Sequence, residues 1–239
     1  MTEEAIILAG GLGTRLQSIV KDVPKPMAEV AGRPFLDYIM YFLAKNNINR
    51  VVLAVGHKRE IIQQHLALEQ NRYGLEVVYS VEEELLGTGG AIYQAFNQTK
   101  DDKAFIVNGD TWFDISLDDL DHFAETHHAD LAFALKETTD SQRYGSVQCS
   151  SNSKIQSFTE KGQSSDTSIT INGGIYLMRK SLLARYPMPK KFSIEQDLFQ
   201  GKTQDLNAFG KSYPGIFIDI GIPQDFLKAQ ELLHSQIPS

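Results

Sequence analysis

Cysteine is almost missing from this chain. Cys149 is the only one, so no intrachain disulfide can form and no multi-cysteine zinc cluster can hold the fold together. A lone thiol suits a reducing compartment, and the expectation is a cytoplasmic protein. Positive charge is also scarce, with 23 Lys and Arg against 30 Asp and Glu, a net charge of −7. That balance gives no general attraction to nucleic acid or anionic lipid, so neither is an expected partner. Any phosphate site must be local, built from a few aimed cations and backbone amides. No apolar run nears the roughly 20 residues of a membrane span. Met1-Thr2-Glu3-Glu4 lacks the basic-then-apolar opening of a signal peptide. Internal repeats and low-complexity tracts are absent as well.

What is present is ordinary in amount. The 239 residues are 42% hydrophobic and 22% charged, which fits a globular chain and excludes disordered or collagen-like structure. This length suffices to bury roughly 70% of the unfolded surface without staples. Residues 5–9 (AIILA) form a short apolar run of the kind buried on both faces of a parallel sheet. A helix with Pro34 at its first position is expected through about Ala44, then strand 50–55 and helix 58–68. Strand 75–80, helix 88–98 and strand 104–108 follow. This alternation argues for an α/β fold with a mainly parallel sheet and helices on both faces. After about residue 128 the pattern changes to strands 129–136, 144–149, 154–159 and 171–178, read as antiparallel additions or a substrate-facing lobe. Strand 216–218 and a helix near Pro223 close the chain, and 138–143 and 162–168 read as loops. The expectation is one α/β unit with a nucleotide-binding half (about 1–128) and a second half (about 129–239) facing the other substrate.

Gly10-Gly11-Leu12-Gly13-Thr14-Arg15 follows directly on the first strand. Glycines there let backbone amides approach phosphate oxygens, and Arg15 could neutralise one. A dinucleotide fingerprint is not met, because position 16 is Leu, and a P-loop is absent. The plain alternative is a glycine-rich turn without a ligand. Pro24-Lys25-Pro26 fixes the backbone on both sides of one lysine, which limits where the ammonium can go. An exposed rigid turn is its plain alternative. Asp110 and Asp219 each fall near a strand end, where ligands bind in open α/β sheets and where a carboxylate can hold Mg²⁺. Taken singly, each could equally be a turn or cap residue. The six histidines, at 122, 127 and 128 and scattered elsewhere, form no nucleophile–base constellation and read as surface or packing residues.

Together these segments resemble the sugar-1-phosphate nucleotidyltransferases. The likeness runs through Gly10 to Leu16, Pro24-Lys25-Pro26-Met27, Leu86-Gly87-Thr88-Gly89-Gly90-Ala91 and Asn108-Gly109-Asp110. It continues in Thr159-Glu160-Lys161, Asn172-Gly173-Gly174 and Asp219-Ile220-Gly221-Ile222-Pro223. One departure is Gln224-Asp225, where the family often has Glu-Asp. The hexapeptide repeats of relatives with an acetyltransferase half do not occur in these residues. The resemblance implies a Rossmann-like three-layer fold and attack by a sugar-1-phosphate on the α-phosphorus of a nucleoside triphosphate.

It also implies roles, residue by residue. Leu8, Ala9, Gly10, Gly11, Gly13, Thr14, Gly87 and Thr88 would hold the nucleotide. Arg15 would pair with the departing pyrophosphate and Lys25 with the α-phosphate. Asp110 and Asp219 would bind Mg²⁺. Lys161 would hold the sugar phosphate, Glu160 and Asn172 the sugar hydroxyls, with Gly145 and Gly173 allowing close backbone approach. Glu195 is either a further sugar contact or simply a first-turn acid favoured by the helix dipole.

Glu82 lies where family members place a side chain against the base edge. A carboxylate only accepts hydrogen bonds, and guanine offers two neighbouring donors, whereas uracil and thymine flank one donor with two carbonyls. The expectation is therefore GTP; the alternative is that Glu82, Glu83 and Glu84 are a solvated acidic run. Which sugar phosphate is used, and whether the chain forms a homo-oligomer, stay open. A regulatory binding protein on the same fold would have lost some of Arg15, Lys25, Asp110, Lys161 and Asp219, and all are here.

Overall fold

Seven strands build the central sheet of this computed structural model, which describes residues 2–11, 16, 20, 22–68, 72–140, 143–159 and 168–237. In chain order the first elements are β1 (Glu4–Leu8), the short pair β2 (Glu29–Val30) and β3 (Arg33–Pro34), then α1 (Phe35–Lys45) and β4 (Arg50–Val55). After them come α2 (Arg59–Leu68), β5 (Glu76–Val81), α3 (Gly87–Ala95), β6 (Lys103–Asn108), β7 (Thr111–Phe113) and α4 (Leu117–Thr126). The second half contains β8 (Leu131–Thr138), β9 (Val147–Cys149), β10 (Ile155–Phe158), β11 (Ile169–Arg179) and α5 (Ser181–Arg185). A π-helical segment, Ile194–Gln200, precedes β12 (Ala208–Ser212), β13 (Phe217–Asp219) and α6 (Pro223–Leu232).

The sheet order is β12-β8-β11-β6-β1-β4-β5. β1 pairs in parallel with β4 and β6, β4 with β5, and β12 with β8. β11 alone runs antiparallel, against β6 on one edge and β8 on the other. One continuous sheet thus joins the strands of both halves of the chain. β9 pairs antiparallel with β10, as the change of pattern after residue 128 suggested.

Alternation along the central strands splits the core in two. Ala5, Ile7, Val51, Leu53, Phe105 and Val107 face one apolar layer, which α1, α2, α4 and α6 complete. Ile6, Val52, Ala54, Ala104 and Ile106 face the other, completed by α3, α5, Leu198 and Phe199. Every residue of β4 is buried, as a strand covered on both faces must be. The helix placed at 58–68 begins at Arg59, and the one placed at 88–98 is α3 followed by a 3₁₀ turn, Phe96–Gln98. Pro34 precedes α1 as its N-cap and does not occupy its first turn. Among the described residues no helix is long and apolar enough to cross a membrane.

Candidate active site

The parallel strands β1, β5 and β6 end on the same edge of the sheet, and a cavity of about 610 Å³ opens there. Its wall includes Leu8, Ala9, Gly10 and Gly11 at and beyond the end of β1, and Asn108, Gly109 and Asp110 at and beyond the end of β6. Glu82, Gly87 and Thr88 line another side, and Lys25, Glu195 and Asp219 complete it. The Gly109 amide donates to the Leu8 carbonyl at 3.0 Å, which keeps the ends of β1 and β6 together.

Lys25 opens a 3₁₀ turn, Lys25–Met27, in which the Met27 amide bonds the Pro24 carbonyl at 2.8 Å. Pro26 and Met27 are buried beneath it, so the backbone cannot drift. The Lys25 side chain is 10% exposed, which removes the plain reading of a surface turn. It bonds Asp110 Oδ2 directly and lies 3.7 Å from Asp219 Oδ1.

The two aspartates meet for a reason distant in sequence. β13 pairs antiparallel with β7, and the register sets Asp219 opposite Thr111, one residue from Asp110. The Ile220 amide then donates to the Asp110 carbonyl at 3.0 Å, and the Gly221 amide to Asp219 Oδ1 at 2.7 Å. Two carboxylates converging on one ammonium mark a spot that favours cations. Mg²⁺ commonly takes one or two protein carboxylates, with phosphate oxygens and water filling the rest, and this donor set fits that pattern. Among the described residues there is no larger cluster of His, Cys, Asp and Glu able to hold a metal.

Glu82 separates from its acidic neighbours. Glu83 and Glu84 are 82% and 66% exposed, whereas Glu82 is partly buried and folds over Gly10. Its Oε2 accepts from the Leu86 amide at 3.1 Å. Burial pushes its carboxyl group above the usual range, and the Leu86 bond opposes the shift.

Glu195 stands on the opposite side. Its Oε2 accepts from Thr88 Oγ1 at 2.7 Å and from Ser193 Oγ at 2.9 Å. Ser193 caps the π-helical segment, accepting from the Gln196 amide at 3.2 Å. Neither Ser193 nor Phe192 was among the residues singled out from the sequence. The Ser193-x-x-Gln196 spacing is a capping signature that marks where this segment starts. Phe192 has no such local signal: its carbonyl accepts from Gly89 and its amide donates to the Leu86 carbonyl, pinning segment 190–193 onto α3.

Asn172 and Gly173 do not line this cavity. They lie where the β11–β8 register shifts, and Asn172 Oδ1 accepts from the Gly174 amide at 3.0 Å. Gly174, in the left-handed region at φ +76°, packs against Asn108 and Thr111, so this bulge borders the β6–β7 turn that carries Asp110. Gly145 follows Tyr144 on the approach to β9 and is likewise off the cavity wall. Gly13, Thr14, Arg15, Glu160 and Lys161 lie outside the described residues.

A glycine-rich approach to a strand-end cavity, with one lysine between two carboxylates, suits a nucleoside triphosphate better than an uncharged ligand. The chain belongs to the Nucleotidyl transferase family, whose model matches residues 4–236. It is 43% identical over 238 residues to D-glycero-α-D-manno-heptose 1-phosphate guanylyltransferase of Aneurinibacillus thermoaerophilus, covering 98% of this chain and 100% of that protein. Identity to the Campylobacter jejuni protein of the same name is 41% over 223 residues, covering 93% of this chain and 96% of that one. The crystal structure of HddC from Yersinia pseudotuberculosis superposes with a TM-score of 0.85 at 34% identity, covering 96% of this chain and 99% of that one. HddC complexed with GMP-PN superposes with a TM-score of 0.84.

Proposed function

We propose that this protein is a sugar-1-phosphate guanylyltransferase. It joins D-glycero-α-D-manno-heptose 1-phosphate to the guanylyl group of GTP, giving GDP-heptose and pyrophosphate. The observation that carries this reading is the Lys25–Asp110–Asp219 cluster at the strand-end cavity, in a chain 43% identical to a relative of that name over its full length.

The chemistry is substitution at phosphorus. An oxygen of the sugar phosphate forms a bond to the α-phosphorus, and the bond from that phosphorus to the bridging oxygen breaks as pyrophosphate leaves. The nucleophile is already an anion, so no general base is needed; the work is alignment and charge neutralisation. Lys25, held in its turn and one-tenth exposed at 10%, supplies a fixed positive charge to the α-phosphate, where charge crowds in the transition state. Asp110 and Asp219 are the residues that would hold Mg²⁺, whose charge, when bound, offsets that of the phosphates. The glycine amides beyond β1 and the side chains of Arg15 and Thr88 serve the nucleotide. Glu82 accepts from guanine N1–H and the 2-amino group. Glu160, Lys161, Asn172, Glu195 and the backbone at Gly145 and Gly173 serve the sugar phosphate. A cytoplasmic site of action, where GTP is available, accords with the single cysteine.

The test is pyrophosphate release with Mg²⁺, pairing GTP, UTP, dTTP, CTP and ATP with heptose-1-phosphate and mannose-1-phosphate. Release with GTP and heptose-1-phosphate is expected. GTP with mannose-1-phosphate alone would keep the mechanism and change the sugar. UTP or dTTP in place of GTP would overturn the reading of Glu82. No release with any pair would leave a nucleotide-binding protein without turnover.

A further inference from the structure

The turn that carries Asp219 is gripped at both ends by one short segment of the second half. After the turn, Arg143 Nη2 bonds Asp225 Oδ2, in the first turn of α6, and Asp225 is only 4% exposed. Before the turn, the ring of Tyr144 meets Phe217 edge-on, with centroids 5.9 Å apart. Arg143 also holds Tyr144 itself, donating to its hydroxyl at 3.1 Å and lying 5.0 Å from its ring centroid. Asp140 adds a second carboxylate to Arg143 at 3.3 Å.

From Tyr144 the chain passes at once into the sugar-phosphate side. Gly145 comes next, and the Ser146 carbonyl then accepts from the Thr159 amide at 2.8 Å. Val147 pairs with Phe158 in the β9–β10 hairpin. Thr159 immediately precedes Glu160 and Lys161 in sequence. A single covalent and hydrogen-bonded path therefore leads from the Asp219 turn, through Arg143 and Tyr144, to Gly145 and on to Thr159.

We propose that Arg143 is a positioning residue that sets the sugar-phosphate side of the site against the Asp219 turn. This rests on the function proposed above. Arg143 is not among the cavity-lining residues and touches no reacting atom; its effect passes through Asp225 and Tyr144. The fork of the guanidinium is what the arrangement uses, since one group reaches two carboxylates and a phenol together. A lysine at 143 supplies the charge without that fork.

The consequence is a split between the two substrates. Nucleotide binding depends on the strand ends β1, β5 and β6, which Arg143 does not touch. Alignment of the sugar phosphate depends on the segment it anchors, and misplacement by about 1 Å costs on the order of 100-fold in rate. Arg143→Ala is expected to lower kcat/KM for the sugar phosphate by roughly 10- to 100-fold. The Kd for GTP, measured by calorimetry without sugar phosphate, is expected to stay within about twofold, a difference too small to reflect a lost contact. Arg143→Lys should recover only part of the loss. Because Arg143→Ala leaves the buried Asp225 carboxylate with only Lys228, 3.8 Å away, Arg143→Ala/Asp225→Asn is the companion variant, which removes that charge and should show the same split. An equal fall in GTP affinity and sugar-phosphate efficiency in the companion variant, or no change in either, would overturn the proposal. Hydrogen exchange at the amides of residues 143–149 reads the anchoring without turnover and should speed up in both variants. That keeps the outcome separate from the proposed reaction. If the wild type releases no pyrophosphate but exchange quickens, the reaction fails and the anchoring stands; unchanged exchange overturns the anchoring.

Discussion

Glu82 is held where burial raises its carboxyl group above 4.5 and one amide only partly offsets that. A carboxyl group raised in the folded state favours folding most below its unfolded pKa and loses that contribution as pH climbs through the folded value. At neutral pH the ionised side chain therefore weakens the free protein. In the proposed role of Glu82, guanine recognition needs the ionised form, so GTP affinity should move the other way, falling as pH drops through the raised folded value. Glu82→Gln is expected to melt above the wild type at pH 8, with the gap closing toward pH 5, while its preference for GTP over other nucleotides relaxes. Melting curves at the two pH values and a nucleotide panel check both signs, and an unchanged preference removes the base argument. Lys25→Ala is expected to lower kcat by roughly 100-fold with little change in KM, because in the proposed mechanism its charge acts where the α-phosphate is most crowded. Steady-state kinetics with GTP varied decides this; a change confined to KM makes Lys25 a ground-state binder. Lys25 was legible through the family resemblance, since Pro24-Lys25-Pro26 by itself also reads as a rigid surface turn. Its partners were legible only as separate strand-end acids, since nothing local says that residues 110 and 219 meet.

α3 carries glycines at 87, 89 and 90, each of which weakens a helix by up to about 1 kcal/mol relative to alanine. The structure shows what offsets this. A Cβ at Gly90 would run into the Lys190 carbonyl oxygen and sit 2.8 Å from Leu86 Cβ, and one at Gly89 would enter the Phe192 ring. Gly90→Ala is therefore expected to destabilise by about 1–3 kcal/mol despite the better helix former. Thermal melting should show a midpoint several degrees lower; an unchanged or higher midpoint would mean that segment 190–193 yields freely. The Gly-Thr-Gly-Gly run could be read as a motif, but not its partner, because Lys190 and Phe192 lie about a hundred residues further on. The same limit explains which elements were readable. β1, α1 and β4 stand out by apolar period. α4 escaped notice, although Ser116 caps it by accepting from Asp119, because acidic residues dominate its sequence. β12 was missed because Gly210 and Lys211 interrupt its apolar run; neighbouring β8 supplies the ordering.

Across the whole molecule, binding at the strand-end cavity is coupled to folding. Ligand that binds only the folded state adds about 2.7 kcal/mol at 100 times its Kd. GTP with Mg²⁺ is expected to raise the melting midpoint by several degrees, and Asp110→Asn should lose most of the Mg²⁺-dependent part. Differential scanning fluorimetry with GTP alone, Mg²⁺ alone and both together separates the contributions; an equal rise in wild type and variant would remove Asp110 from metal binding. The β7–β13 pairing has a further consequence, in time and not in space. Its two strands stand far apart in the chain, Thr111–Phe113 against Phe217–Asp219. Such pairing forms late, because a long loop must close before any contact rewards it. On the ribosome, where chains fold from the N-terminus, the glycine loop, Lys25 and Asp110 emerge well before the second carboxylate does. A nascent chain that has not yet reached residue 217 can thus carry the nucleotide side of the proposed site yet lack the pairing that finishes it. In the proposed reaction, competence waits for the docking of the three residues Phe217–Asp219.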